Sequence, residues 1–150
     1  MPTTDEIRRH WSALVGRPVT VQQGTTPASA DNVASYIDDD GRVVAACLFD
    51  FPIAAALGSS LIMVPAGAAR DAAKSRDIPE SMAASFREVA NITASLFARA
   101  GLRVKLREVA TPSSQAPEDV QALLAAPRDR RDMTVTVETY DAGTISILLA

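Results

Sequence analysis

Few side chains in this sequence are capable of chemistry, and their spacing narrows what that chemistry is. Cys47 is the single cysteine and lies in the apolar run Val43-Val44-Ala45-Ala46-Cys47-Leu48. A free cysteine in such a run reads as a buried small side chain. Without a second thiol there is no internal disulfide and no thiolate set for zinc or an iron–sulfur cluster. His10, the single histidine, follows Arg8 and Arg9 and precedes Trp11. With cationic neighbours it reads as a surface or half-buried residue rather than a catalyst. The run Asp38-Asp39-Asp40 ends in Gly41. A calcium loop of the EF-hand type needs spaced acidic ligands and a distal glutamate, and the next glutamate here is Glu80, so these aspartates read as turn chemistry. That leaves Glu88 and Asn91, a carboxylate and a carboxamide three residues apart. On a helix they are surface neighbours, and a carboxamide both donates to and accepts from a water molecule. From average composition such a tetrad arises by chance in about one chain of this length in three, so its setting must distinguish it.

The 150 residues are 47% hydrophobic and 22% charged, with a formal net charge of −3. The expectation is one domain over residues 1–150 with a sizeable core, and the composition excludes a disordered chain. A sequence pI of about 5.1 lacks the clustered basic surface that nucleic acid requires. Lys74 and Lys105 are the only lysines among 15 basic residues. The arginines are scattered, a bias that reads as a GC-rich coding background rather than a binding function. The start, Met1 to Glu6, is acidic and shows no secretory signal. The most apolar stretch, Ile53 to Pro65, is interrupted by Gly58, Ser59 and Ser60 and falls short of the roughly 20 residues of a membrane span. The chain reads as cytoplasmic, with no membrane or nucleic-acid partner.

The elements that must position Glu88 and Asn91 follow from hydrophobic spacing. Thr3 with Glu6 is a capping box, and Ile7, Trp11, Leu14 and Val15 recur at helical spacing, giving a first helix over about 4–15 that stops at Gly16. Residues 18–21 read as a strand and 24–31 as a loop. Residues 34–37 and 42–51 flank the Asp-Gly turn as a hairpin. Pro52 opens a helix from Ile53 to about Met63, and 66–77 reads as a weak helix or a loop. Asp77-Ile78-Pro79-Glu80 reads as the start of a long helix, with Asp77 as its cap, ending at Ala100 before Gly101. Residues 104–110 read as a strand, 112–115 as a loop, 117–126 as a short helix and 128–132 as a solvated loop. The alternation over 133–140 and 144–149 reads as a terminal hairpin. The expected fold class is α+β, with an antiparallel-rich sheet of about six strands and two principal helices packed on it.

On the long helix, Met82, Phe86, Val89, Thr93, Leu96 and Phe97 share the core side at about 100° per residue. Glu88 and Asn91 lie opposite, flanked by Ala84 and Ser95. A stripe of small, Glu, Asn and small residues accepts a close partner surface better than the long charged side chains of an ordinary wet face.

A strand–turn–strand unit over 34–51, an Ala/Leu helix after Pro52, a long helix bearing Glu88-Val89-Ala90-Asn91, a further strand and then Thr111-Pro112 together resemble the CheC/CheX/FliY family of chemotaxis phosphatases. Their fold is shared with the middle domain of the flagellar switch protein FliM. The resemblance spans about residues 16–150 beyond an N-terminal helix over 1–15, and the single Glu-x-x-Asn is closer to CheX than to CheC. It implies catalytic roles for Glu88 and Asn91 in hydrolysing the aspartyl phosphate of a CheY-like receiver, with Asn91 holding the attacking water in line and Glu88 pairing with the receiver's lysine. It implies partner contact at Ala84 and Ser95, a motif proline at Pro112, and no cofactor on this chain, since the receiver carries magnesium. It implies a homodimer, for which the terminal hairpin would offer an edge strand. The family motif usually has Asp or Ser where this chain has Ala84, Ser85 being turned toward the core, and its proline stands slightly farther from the Asn than Pro112 does. These departures leave a non-catalytic interaction module in a chemotaxis or flagellar-switch assembly as the alternative, and an unrelated α+β protein with a chance motif as a third reading.

Overall fold

In the computed structural model, which describes residues 1–150 apart from Thr25 and Ala30, the β-branched and alternating runs become six strands. These are β1 (Val19–Gln23), β2 (Asn32–Ile37), β3 (Val43–Phe49), β4 (Lys105–Ala110), β5 (Asp129–Val137) and β6 (Gly143–Leu149). Every pairing is antiparallel, and the sheet order is β1-β5-β6-β3-β2-β4. The helices are α1 (Thr4–Val15), α2 (Phe51–Leu61), α3 (Ala66–Ser75), α4 (Glu80–Arg99) and α5 (Glu118–Ala125), with a short 3-10 turn at Ser113–Gln115. The α+β class and the six-stranded antiparallel sheet are those expected, and α2 and α4 are the principal helices on it.

The two faces of the sheet are covered unequally. One carries the main core, where Ile7 and Trp11 of α1, Phe49 of β3, Ile53 and Leu57 of α2 and Phe86 and Phe97 of α4 are buried together. Phe86 stands edge-on to Phe49 with ring centroids 5.0 Å apart, and Tyr36 lies 5.0 Å from Phe97. Burial of side chains this size contributes roughly 2–3 kcal/mol each. The other face carries a smaller cluster in which Val120 and Leu123 of α5 meet Val33, Leu48 and Leu148.

Local chemistry accounts for the element ends. The Thr3–Glu6 capping box forms as expected, and Gly16 closes α1 at φ 67°. The Asp50 side chain accepts from the Ile53 N–H and caps α2. Asp38 accepts from the backbone N–H groups of Asp40 and Arg42, which makes the acidic run a turn. The segment read as weak helix or loop is α3, and the expected 24–31 loop falls partly on the two positions outside the described residues.

Four expectations are corrected. Asp77 does not cap the long helix: α4 begins at Glu80, with Pro79 at the cap position and no side-chain cap bond. The residue before a proline is held out of the helical region, so Ile78 cannot be the first turn. Residues 129–132 are not a loop but the start of β5, paired residue for residue with 146–149. Arg130 meets Asp132 at 2.9 Å, and Arg131 donates to the Pro2 carbonyl. The terminal hairpin is not an edge, because β5 is flanked by β1 and β6 by β3, and the outer strands are β1 and β4. His10 is neither on the surface nor half-buried but 7% exposed, because the side of α1 that carries Trp11 also turns His10 toward α4.

Candidate functional site

The outward face of α4 is set by what its inward face is tied to. Met82, Phe86, Val89, Thr93, Leu96 and Phe97 are all buried, as the helical spacing requires. Hydrogen bonds fix the rotation of the helix. The Thr93 hydroxyl donates to the Val89 carbonyl at 2.7 Å and accepts from the Trp11 indole N–H at 3.1 Å. The Tyr36 hydroxyl donates to the Ala90 carbonyl at 2.8 Å. Along α2, Ser85 donates to the Gly58 carbonyl at 2.7 Å. A Cβ at Gly58 would stand 2.6 Å from the Met82 carbonyl oxygen. The two helices therefore approach closely because position 58 has no side chain.

With that face pinned, Ala84, Glu88, Asn91 and Ser95 are all exposed. Among the described residues neither Glu88 nor Asn91 makes a side-chain hydrogen bond or ion pair. At three-residue spacing their Cβ atoms lie about 5–6 Å apart. They form a polar pair with every donor and acceptor open to a partner. Ser95 differs, since its hydroxyl donates to the Ile92 carbonyl of its own helix at 2.8 Å. Ala84 leaves a gap one turn before Glu88, and Ser85 beside it faces α2.

Asn91 stands at the margin of an open groove of about 440 Å³ between α4 and the approach to β4. Its floor is small, formed by Ala94, Ser95 and Ala98, and Arg103, Val104 and Lys105 make the opposite wall. Arg103 and Lys105 are exposed, and among the described residues neither has an ion pair or side-chain hydrogen bond. Sequence reading treated the basic residues as scattered and passed over this pair. The available signal was alternation, since 103 and 105 are polar between Leu102, Val104 and Leu106, which pack toward the core.

Pro112 is not brought to this groove. It follows a cis peptide bond after Thr111, at the far end of β4, and six residues of strand separate position 105 from Thr111 by about 20 Å. Thr111 instead lines a second concavity of about 460 Å³ with Ala83 and Arg87, beside the first turns of α4. Its hydroxyl donates to Asn32 Oδ1 at 2.6 Å. Cys47 is fully buried, and burial pushes its thiol far above the ordinary range, so it is inert. Among the described residues no group of three or more His, Cys, Asp and Glu side chains is placed to hold a metal ion. No helix there is long and apolar enough to cross a membrane.

A third concavity, about 470 Å³, lies between α2, α3 and the β5–β6 turn. Its polar groups are mostly paired within the fold. Arg70 meets Asp141 through two bonds of 2.9 Å. Arg76 meets the nearly buried Asp31 at 2.6 Å and lies over the Phe51 ring at 4.8 Å.

No family model matches the sequence, and no curated protein does. Solved structures do. The FliM middle domain of Vibrio alginolyticus superposes with a TM-score of 0.62 at 7% identity, covering 97% of this chain and 88% of that one. FliY of Thermotoga maritima gives 0.58 at 10% identity, with coverages of 99% and 85%. The chemotaxis protein CheX of Vibrio vulnificus gives 0.54 at 10% identity, with 97% and 92%. At these identities the likeness is one of fold, and the fold of this chain is the CheC/CheX/FliY fold that the FliM middle domain also adopts.

Proposed function

We propose that this chain is a CheX-like phosphatase that accelerates hydrolysis of the aspartyl phosphate on a CheY-like response regulator. The observation that carries the reading is the pair Glu88 and Asn91, exposed side by side on the outward face of α4 with no side-chain partner among the described residues. In this reading the Asn91 carboxamide holds a water in line with the phosphorus. The water oxygen attacks, the bond from phosphorus to the aspartate oxygen breaks, the carboxylate leaves and inorganic phosphate is released. Glu88 pairs with the receiver's lysine and so fixes the angle at which α4 enters the partner site. Magnesium comes with the receiver. The chemistry asks for positioning and charge neutralisation rather than a nucleophile of the chain's own, which suits a face bearing one carboxylate and one carboxamide.

The second reading is a non-catalytic module that uses the same face for protein contact. Ala84 favours it, because that position offers no polar group one turn before Glu88. The homodimer that the sequence resemblance implies would find its open sheet edges at β1 and β4.

The deciding experiment is release of phosphate from a magnesium-loaded, phosphorylated CheY-like receiver of the same organism, with the wild-type chain and with Asn91→Ala. Acceleration that Asn91→Ala removes supports the phosphatase. A folded wild-type chain that accelerates none of the organism's receivers, yet binds one, supports the module.

A further inference from the structure

We infer that Arg103 and Lys105, in the wall of the groove beside Asn91, form a docking site for the acidic rim of a phosphorylated receiver, and so determine which anionic partner the Glu88–Asn91 face accepts. The inference rests on the function proposed above and adds a partner chemistry to it. A phosphorylated aspartyl site sets a phosphoryl group among metal-binding carboxylates, and its magnesium offsets only part of that negative charge. The chain that meets it carries a net charge of −3 and puts a carboxylate, Glu88, at the point of contact. Glu88 is matched there by the receiver's lysine, and the anionic groups around it call for positive charge on this chain.

The groove supplies the missing charge. Arg103 and Lys105 line it with Asn91, are exposed, and have no intramolecular ion pair or side-chain hydrogen bond among the described residues. Arg87, one turn before Asn91 on α4, is likewise exposed and without a partner among the described residues. Other cations are neutralised within the fold, as at Arg70 with Asp141, Arg76 with Asp31 and Arg107 with Asp119, so what distinguishes Arg103 and Lys105 is their place beside Asn91. Arg107 lies only two residues past Lys105, so the boundary between paired and unpaired charge falls at the end of the groove. Ala94, Ser95 and Ala98 keep the floor low enough for a partner surface to reach those cations. Unpaired rim charges of this kind govern encounter rate and salt dependence more than the chemical step.

The test is steady-state dephosphorylation of the phosphorylated, magnesium-loaded receiver by the double variants R103E/K105E and R103Q/K105Q. The expected result is a KM raised about tenfold by charge reversal and less by neutralisation, with kcat unchanged and a flatter dependence on salt. Unfolding midpoints equal to wild type show that the folds are intact. An unchanged KM and salt dependence, with Asn91→Ala still inactive, overturns the docking site and leaves the phosphatase standing. If wild type accelerates no receiver, binding to a beryllofluoride-loaded receiver decides. Binding that charge reversal removes sustains the docking site without catalysis, and absence of binding overturns it together with the proposed function.

Discussion

Two hollows of nearly equal size show how this molecule divides its charges. The one between α2, α3 and the β5–β6 turn measures about 470 Å³, and the one between α4 and β4 about 440 Å³. In the first, Arg70 and Arg76 are each held by an aspartate, and Asp31 also accepts from the Phe51 N–H at the start of α2 and from Ser29. Its polar groups tie α2, α3 and the preceding loop together. In the second, the side chains of Asn91, Arg103 and Lys105 hold nothing among the described residues. A charge or amide satisfied inside the fold stabilises it, whereas one left open is free for a partner. Volume alone does not separate the two hollows: the first holds two ion pairs beside one open cation, Lys74, whereas the cations of the second form none among the described residues.

The sharpest way to break this comparison is at Asn91. Asn91→Ala is expected to lower the rate of receiver dephosphorylation by about 100-fold, while its denaturant midpoint stays at the wild-type value because the side chain is exposed and unpartnered. Loss of stability instead of rate would place Asn91 among the structural residues. Gly58→Val should act on the fold that presents the pair. Its Cβ meets the Met82 carbonyl, so α2 and α4 must separate, at a cost of about 3 kcal/mol by urea unfolding. Turnover should fall with it, since the outward face of α4 loses its rotation.

Asp31→Ala is the mirror image of the Asn91 variant. Removing a nearly buried carboxylate leaves the Phe51 N–H and the Arg76 guanidinium without their partner, which should cost about 2 kcal/mol of stability and leave kcat and KM unchanged. A change in turnover without loss of stability would make the α2–α3 hollow the functional one.

The smallest expected effect is a pH dependence carried by His10. Burial, and then the charge of Arg99, depress its pKa below the ordinary value, against a hydrogen bond to the Ile92 backbone that works the other way. The folded state therefore favours the neutral imidazole. Its contribution is complete above the unfolded value of about 6.5 and is lost as the pH falls through the lower folded value. Denaturant midpoints of wild type should decline from about pH 6.5 downward, and His10→Gln should flatten that segment of the curve. A decline that persists in the variant would assign the pH dependence to other groups.

How far the sequence carries depends on how local each feature is. The long helix and its buried side were legible from Met82 to Phe97 because a 3.6-residue period is written in consecutive residues, and the exposure of Glu88 and Asn91 followed from it. The capped first helix, the Asp-Gly turn and the burial of Cys47 were legible for the same reason. The start of β5 was not. Arg130 and Asp132 look solvated in isolation, and only pairing with β6 makes them strand. The start of α4 was misplaced because Asp77 and Glu80 mimic a capping box that Pro79 displaces. Arg103 and Lys105 looked like two among many basic residues, and nothing in their spacing shows that Arg107 is neutralised by an aspartate from α5 while they are not.

The sequence by itself determined the elements, the class of fold and the one polar pair on an outward helical face, because periodicity and turn chemistry act over a few residues. Only the tertiary structure decided which strands lie at the edges, which helix meets Gly58, and which charges are spent inside the fold. Those are contacts between residues distant in sequence, such as Asp31 with Arg76 or Trp11 with Thr93, and chain order carries no local mark of them.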